Sequence, residues 1–261
     1  MISRSSKAIY IASGIAAGGV VYYTRQVSPE PDTLNEHRFA KYILSSKQVL
    51  SPTTSLFEIR PQHACKETQL PLHIRLQSLQ IKQPELQIQR HYTPLSVIGP
   101  NHQFIVRRYP EGEVSRYLHR LPIASEVEIR GPVIDMESNQ SWDEIRLFAG
   151  GTGIAVAMQL LEQIPSRTKL SLFYSVRSPE EILFMKQLTG VLDRNVEVKC
   201  FVDSERRVIT KADIPPPAKD CLSIVCGPEG YVSFLAGPTM KPVDTISGLL
   251  GQKGYKTVVK L

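Results

Sequence analysis

The sequence predicts an N-terminal membrane helix, then an all-β antiparallel barrel of the Greek-key type, then a doubly wound α/β domain. Three observations predict it. Residues 8–23 carry no charge. From Phe39 to about Asp135, short alternating apolar runs are separated by prolines, the pattern of a small antiparallel barrel. From Ile145 onward, strand-like and helix-like runs alternate around a glycine loop, the pattern of a parallel sheet.

A chain of 261 residues holds one to two domains. Its 42% hydrophobic and 21% charged content is that of a globular protein rather than a disordered one. The net charge of +6 is scattered, so no nucleic-acid partner is expected; a mildly basic surface suits an acidic partner or an anionic membrane. The four cysteines form no CxxC and the six histidines show no ligand spacing, so neither a metal site nor a disulfide framework is expected.

Residues 1–25 read as a targeting and transmembrane segment. Arg4 and Lys7 precede the apolar run Ala8 to Tyr23, and Arg25 follows it. As a helix this run spans about 24 Å, slightly short of a hydrocarbon core. Its basic, acid-free start favours a membrane anchor with a mitochondrial-type presequence over a cleaved secretory signal or a buried helix. Residues 26–37, with Pro29 and Pro31, read as a linker.

Residues 38–138 form the expected barrel. Strands are expected over 39–44, 55–60, 73–79, 85–90, 103–109 and 126–130. The run Arg90-His-Tyr-Thr-Pro closes one of them. Strand alternation places Arg90 and Tyr92 on one face and Thr93 on the other. Arg90 can fork onto a phosphate; Tyr92 can lie against a ring; Thr93 can hydrogen-bond a ring edge. A short helix over 111–121 follows, with Val114, Leu118 and Leu121 inward. Gly112 permits close approach, and Ser115 with the first-turn N–H groups can meet a phosphate.

Residues 139–261 form the expected α/β domain. Ile145 to Gly150 is a buried strand entering the loop Gly150-Gly-Thr-Gly153. A helix is expected over 152–163, with Ile154, Met158 and Leu161 as its apolar stripe. Gly151, Thr152 and Gly153 clear space for phosphates at its start. Further strands are expected over 170–175, 196–202 and 221–226, with helices over 179–188 and after Cys226-Gly-Pro228. Cys226, Gly227 and Pro228 and the glycine loop both lie at the carboxyl ends of strands, where such sheets bind ligands.

The ordered set Arg90-x-Tyr-Thr-Pro, Gly112-x-Val-Ser-x-Tyr-Leu, Gly150-Gly-Thr-Gly-Ile and Cys226-Gly-Pro resembles the ferredoxin–NADP reductase superfamily in its NADH–cytochrome b5 reductase branch. The resemblance covers residues 38–236. It implies a barrel that binds FAD and an α/β domain that binds NADH or NADPH. It places Arg90, Val114 and Ser115 on the FAD pyrophosphate, and Tyr92 and Thr93 on the flavin. Arg107 stands at the position of a cofactor-binding lysine. Gly151, Thr152 and Gly153 would face the nicotinamide cofactor, and Thr93 and Cys226 would flank the hydride path. Ser175 and Arg177 follow the second α/β strand, where an Arg accepts a 2′-phosphate; Glu181 stands where NADH-preferring relatives carry an acid. The cofactor choice stays open.

A narrower resemblance joins the chain to the fungal cytochrome c mitochondrial import factors, through the N-terminal anchor, Cys226-Gly-Pro-Glu-Gly-Tyr-Val232 and the ending Gly248 to Leu261. It implies an inner-membrane flavoprotein facing the intermembrane space, passing electrons to a haem iron for cytochrome c haem attachment. The chain departs from the wider family at Ala155-Val156, where Thr-Pro is usual, at Glu229, and in ending on Leu261 rather than an aromatic residue. These departures motivate a second reading, a flavin-binding assembly factor without nicotinamide turnover. Electron transfer to cytochrome b5 is the third.

Overall fold

The computed structural model describes residues 34–63, 73–190, 195–239 and 246–261. The expected membrane helix lies outside the described residues; among those described, no helix is long and apolar enough to cross a membrane.

The chain builds two sheets. Six strands form the first: β1 (Ala40–Ser51), β2 (Thr54–Pro61), β3 (Ile74–Gln83), β4 (Ile88–Tyr92), β5 (His102–Arg107) and β6 (Glu126–Ser138). They run antiparallel in the order β4-β3-β6-β1-β2-β5. The sheet curls until its edges meet. Pro94, just past β4, bridges to Phe104 of β5, and the Leu95 N–H donates to the Gln103 carbonyl at 2.8 Å. The contact lies past the end of β4, so β4 and β5 remain the two edges of a curled six-stranded sheet. Tyr42, Phe57, Leu79, Ile81, Phe104 and Ile129 fill the interior. Helix α1 (Glu113–Arg120) lays Val114 and Leu118 against this core.

Three strands run well past their expected ends, β3 by Gln80 to Gln83. β1 continues from Leu44 to Ser51 although its outer positions are polar, because Lys47 and Gln48 pair with Phe57 and Leu56 past a register shift. β6 crosses Gly131-Pro132 and reaches Ser138, paired with β3 through two register shifts. A shift absorbs a residue that cannot join the ladder, so a proline did not end the strand.

The second sheet is parallel: β7 (Glu144–Gly150), β8 (Lys169–Val176), β9 (Val196–Val202), β10 (Cys221–Cys226) and β11 (Val259–Lys260), in the order β11-β10-β7-β8-β9. Strand order reverses between β7 and β10, which makes the crevice at their carboxyl ends the natural ligand position. A 3-10 turn (Gly151–Ile154) leads into α2 (Ala155–Gln163). α2 does not present the narrow stripe expected. Ile154, Ala155, Val156, Ala157, Gln159 and Leu160 are all buried, while Met158 and Leu161 are half-buried. The helix lies between the sheet and the barrel, so both flanks are covered: Ile74, Leu76, Leu95 and Ile105 of the barrel share one core with Ile145, Leu147 and Leu160.

The helix expected over 179–188 is not continuous. A 3-10 turn (Pro179–Glu181) is followed by Phe184 at φ 59° and then α3 (Met185–Thr189). The Tyr174 hydroxyl donates to the Glu181 carbonyl at 3.2 Å and accepts from the Leu183 N–H at 3.4 Å. Burying Leu183 against the interdomain core breaks the helical path. On the far face, α4 (Glu229–Ala236) and α5 (Gly248–Gln252) pack Val232, Leu235 and Leu250 on Phe148, Phe173 and Phe201.

Candidate functional site

A cavity of about 610 Å³ opens where the barrel meets the carboxyl ends of β7 and β10. Its size lies within the ~300–1,000 Å³ usual for small-molecule sites. The barrel contributes Arg90, Tyr92, Thr93, Arg107, Gly112, Val114 and Ser115 to its wall. The α/β domain contributes Thr152, Gly153, Cys226, Gly227 and Pro228. Residues far apart in sequence thus face one space. Gly151 and Ser175 do not line it, and Arg177 lines a neighbouring cleft.

Arg90 is exposed, and its only side-chain hydrogen bond among the described residues is from Nη1 to the Gln89 carbonyl at 2.8 Å. Its guanidinium is available to an anion. The expected alternation does not hold at the end of β4. Tyr92 is the last strand residue, and Thr93 turns out of the ladder, so Arg90, Tyr92 and Thr93 all reach the cavity. Tyr92 packs edge-on to Phe104, with ring centroids 6.4 Å apart, and burial pushes its phenol above the ordinary range. It therefore stays a neutral hydrogen-bonding group.

Helix α1 starts at the cavity with no side-chain cap. The first intrahelical bond runs from the Arg116 N–H to the Gly112 carbonyl, so the N–H groups of the first turn remain for a ligand. The Ser115 hydroxyl is engaged: it donates to the Gly112 carbonyl at 3.0 Å and accepts from the Tyr109 N–H at 3.2 Å. Ser115 can offer its backbone N–H. Arg107 lines the cavity, but its fork already holds Glu181 of the α/β domain. Side-chain exposures of 14% and 12% make this a largely desolvated pair.

On the other wall, Gly153 lies against the Cys226 carbonyl; a Cβ there would meet that oxygen far inside van der Waals contact. The close approach joins the glycine loop to the end of β10. Gly150 is likewise covered by the Tyr231 ring, whose hydroxyl lies 3.2 Å from Ser175 Oγ. Ser175 is thus spent on Tyr231. Burial, and then the charge of Asp135, push the Cys226 thiol up to about 12, so it stands in the site as a protonated thiol rather than a thiolate.

The sequence reading missed a polar chain along the cavity. Arg130 Nε donates to Gln80 Oε1 at 2.7 Å. Gln80 Nε2 lies 2.9 Å from His91 Nε2, and His91 Nδ1 lies 3.0 Å from Ser78 Oγ. Ser78 Oγ donates to Asp135 Oδ1 at 3.1 Å. One assignment satisfies every bond: His91 carries its proton on Nδ1, and the chain runs from Arg130 to Asp135. Desolvation raises the Asp135 carboxyl above its ordinary range, against the Ser78 hydrogen bond. Ser78, His91 and Asp135 come from β3, β4 and β6, so only strand pairing brings them together. A second missed residue is Gln159. Fully buried in α2, it donates through Nε2 to the Pro94 and Gln77 carbonyls at 2.7 and 2.9 Å and accepts from the Gln77 N–H at 3.1 Å. It clamps α2 to the barrel beside Thr93.

The oxidoreductase FAD-binding domain family matches residues 41–137 of this chain. An uncharacterized FAD-binding protein of Schizosaccharomyces pombe is 31% identical over 96% of each chain. The chain belongs to the FAD-binding oxidoreductases. Within this family it is also similar to NADH-cytochrome b5 reductase 2 of Meyerozyma guilliermondii, 31% identical over 64% of each chain. It is similar to the cytochrome c mitochondrial import factor CYC2 of Saccharomyces cerevisiae, 27% identical over 98% of this chain and 92% of that one. The fold matches the cytochrome b5 reductase domain of Ulva prolifera nitrate reductase at a TM-score of 0.69 and 20% identity, covering 89% of this chain and all of that one. The cavity fits the cofactor of this FAD-binding family: an arginine without a carboxylate partner, first-turn amides and a half-buried tyrosine stand on one wall.

Proposed function

We propose that the protein is a flavoprotein reductase that takes electrons from NADH or NADPH and passes them to a haem protein, in support of haem attachment to cytochrome c in mitochondria. One observation carries this reading. Arg90, Tyr92 and Thr93 of the barrel and Thr152, Gly153 and Cys226 of the α/β domain line a single cavity. FAD held there would supply the redox chemistry that links a two-electron donor to a one-electron acceptor. The chain's task is placement. Arg90 and the first-turn amides of Val114 and Ser115 hold the pyrophosphate. Tyr92 and Thr93 would fix the flavin ring, and Thr152, Gly153, Gly227 and Pro228 would seat the nicotinamide cofactor. Cys226, protonated at neutral pH, offers a weak donor rather than a charge beside the ring. The haem acceptor is supported by the names of the relatives, cytochrome b5 reductases and a cytochrome c import factor. The uncharged run of residues 8–23 supports a membrane anchor, and the likeness to a cytochrome c mitochondrial import factor supports a mitochondrial location.

The test is an anaerobic visible spectrum of the purified protein before and after NADH or NADPH. A flavin band that bleaches is the expected outcome. A flavin band that persists favours the second reading, an assembly factor without turnover, for which Ala155 in the cavity wall speaks because it offers the flavin no hydroxyl. A protein that takes up no FAD sinks both. Reduction of cytochrome b5, without rescue of cytochrome c haem attachment, would assign the acceptor to cytochrome b5.

A further inference from the structure

Beside the large cavity lies a second cleft of about 490 Å³, lined by five arginines. Three of them, Arg108, Arg116 and Arg120, stand at the end of the barrel where the β1–β2 turn meets α1. Hydrogen bonds fix that meeting. The Arg108 N–H donates to the Thr53 carbonyl at 2.7 Å. Lys47 Nζ donates to the His119 and Leu121 carbonyls, each at 3.0 Å, and so covers the carboxyl end of α1. Arg108 and Arg120 are exposed, and among the described residues neither is paired with a carboxylate. Arg116 has the largely exposed Glu113 at 3.6 Å. Two aliphatic side chains stand out of the same end: Val49 is 74% exposed and Ile123 is 51% exposed. Val49 lies two residues past Lys47 on β1 with no register shift between them, so both point to one face. Ile123 lies in the turn between α1 and β6, where the Ala124 N–H donates to the Leu44 carbonyl of β1 at 2.9 Å. Protruding aliphatic groups among uncancelled cations are the composition of a face that meets the headgroup layer of a membrane.

We propose that this end of the barrel docks on an anionic phospholipid bilayer, with Val49 and Ile123 entering the headgroup layer and Lys47, Arg108, Arg116 and Arg120 meeting lipid phosphates. The proposal rests on the membrane anchor in the reading above. The length of chain favours this occupant. Val49 lies nine residues along β1 from Ala40, about 30 Å. Residues 24–33 join the uncharged run to the described domain and at full extension cover about the same distance. Anchor and docked face can therefore meet one bilayer, and a tether of that reach lets weak contacts suffice. A fluid headgroup layer needs no matching shape, which fits two separate aliphatic groups and a set of long basic side chains. A protein partner would need a continuous apolar centre. Docking would hold the mouth of the large cavity, which shares Arg107 and Tyr109 with the cleft, in a fixed orientation to the membrane.

The test uses the full-length, FAD-loaded protein with Ile123→Trp as a reporter, reconstituted with vesicles of phosphatidylcholine alone or of phosphatidylcholine with phosphatidylserine. Tryptophan emission is read against the parent, and attachment is read by flotation. The expected result is a blue shift on the anionic vesicles alone, reversed by high salt. Adding Arg108→Gln or Arg120→Gln should lower the ratio of docked to undocked protein about fivefold, the weight of one basic contact at an anionic surface, and leave the flavin spectrum unchanged. Emission that ignores lipid charge, in protein that floats with both kinds of vesicle, would overturn the docking and leave the anchor standing. Protein that floats with the anionic vesicles alone would keep the docking and overturn the anchor; protein that floats with neither would overturn both. Substitutions that spare the vesicle shift and weaken only the association with an acidic haem protein would overturn the bilayer as the occupant. Bleaching of the flavin by NADH tests the reductase reading independently of every one of these outcomes.

Discussion

Arg107 of the barrel and Glu181 of the α/β domain are joined by two N–H···O bonds, of 3.0 and 2.9 Å, in a largely desolvated seam. The Thr53 hydroxyl adds a third, longer bond to Glu181 at 3.4 Å. The pair ties the two domains at the boundary between the two clefts. Removing one partner leaves the other charge without a counterion. Glu181→Ala is expected to lower the unfolding free energy by about 2–4 kcal/mol, read by urea denaturation at neutral pH. Arg107→Lys should recover only part of the loss, since an ammonium cannot fork onto both oxygens. A variant as stable as the parent would show the seam is held by the shared apolar core alone.

Gly153→Ala and Gly151→Ala separate two roles of the glycine loop. A methyl at Gly153 meets the Cys226 backbone, which cannot move without shifting the end of β10. A loss of about 1–3 kcal/mol and a lowered melting temperature are expected. A methyl at Gly151 meets nothing within 4 Å, and only its φ of 55° opposes the change, so about 1 kcal/mol is expected. Equal losses at the two positions would contradict this account.

Arg90→Ala tests the cofactor wall without disturbing the fold. Arg90 is exposed and, among the described residues, its side chain bonds only to the neighbouring Gln89 carbonyl, so the apo-protein's stability should change by less than about 0.5 kcal/mol. FAD affinity, measured by fluorescence quenching, should fall roughly tenfold to a hundredfold through loss of one charge-assisted contact. Undiminished affinity would move the pyrophosphate elsewhere.

His102 predicts how stability depends on pH. It is 6% exposed, its Nε2 has no hydrogen-bond partner, and burial lowers its pKa from 6.5 to about 4. Between those values the unfolded chain binds the proton and the folded one does not. Stability is therefore full above about pH 6.5 and falls as the pH drops toward 4, by about 3 kcal/mol over the window. Urea titrations at pH 7 and pH 4.5 would show the slope, and His102→Phe should flatten it. An unchanged slope in that variant would assign the acid sensitivity to other groups.

The local pattern of the chain was enough to show six barrel strands, a capping helix and the β7, β8, β9 and β10 runs, because alternation and apolar runs are properties of neighbouring residues. Strands β9 and β10 begin and end where the pattern puts them. The order of the motifs also nominated Arg90, Tyr92, Thr93 and Cys226, and the structure brings all four to one cavity. Three things were decided by tertiary structure alone. The Arg130–Gln80–His91–Ser78–Asp135 chain exists only because β3 pairs with β4 and β6. The bend at Phe184 exists because Tyr174 and the interdomain core hold Leu183 in place. The commitment of Arg107 to Glu181, and the gathering of five arginines beside it, depend on how the two domains seat against each other. Sequence carries the interactions a residue makes with its near neighbours. Contacts between residues dozens of positions apart, and the desolvation that sets their strength, arise only when the chain is closed on itself.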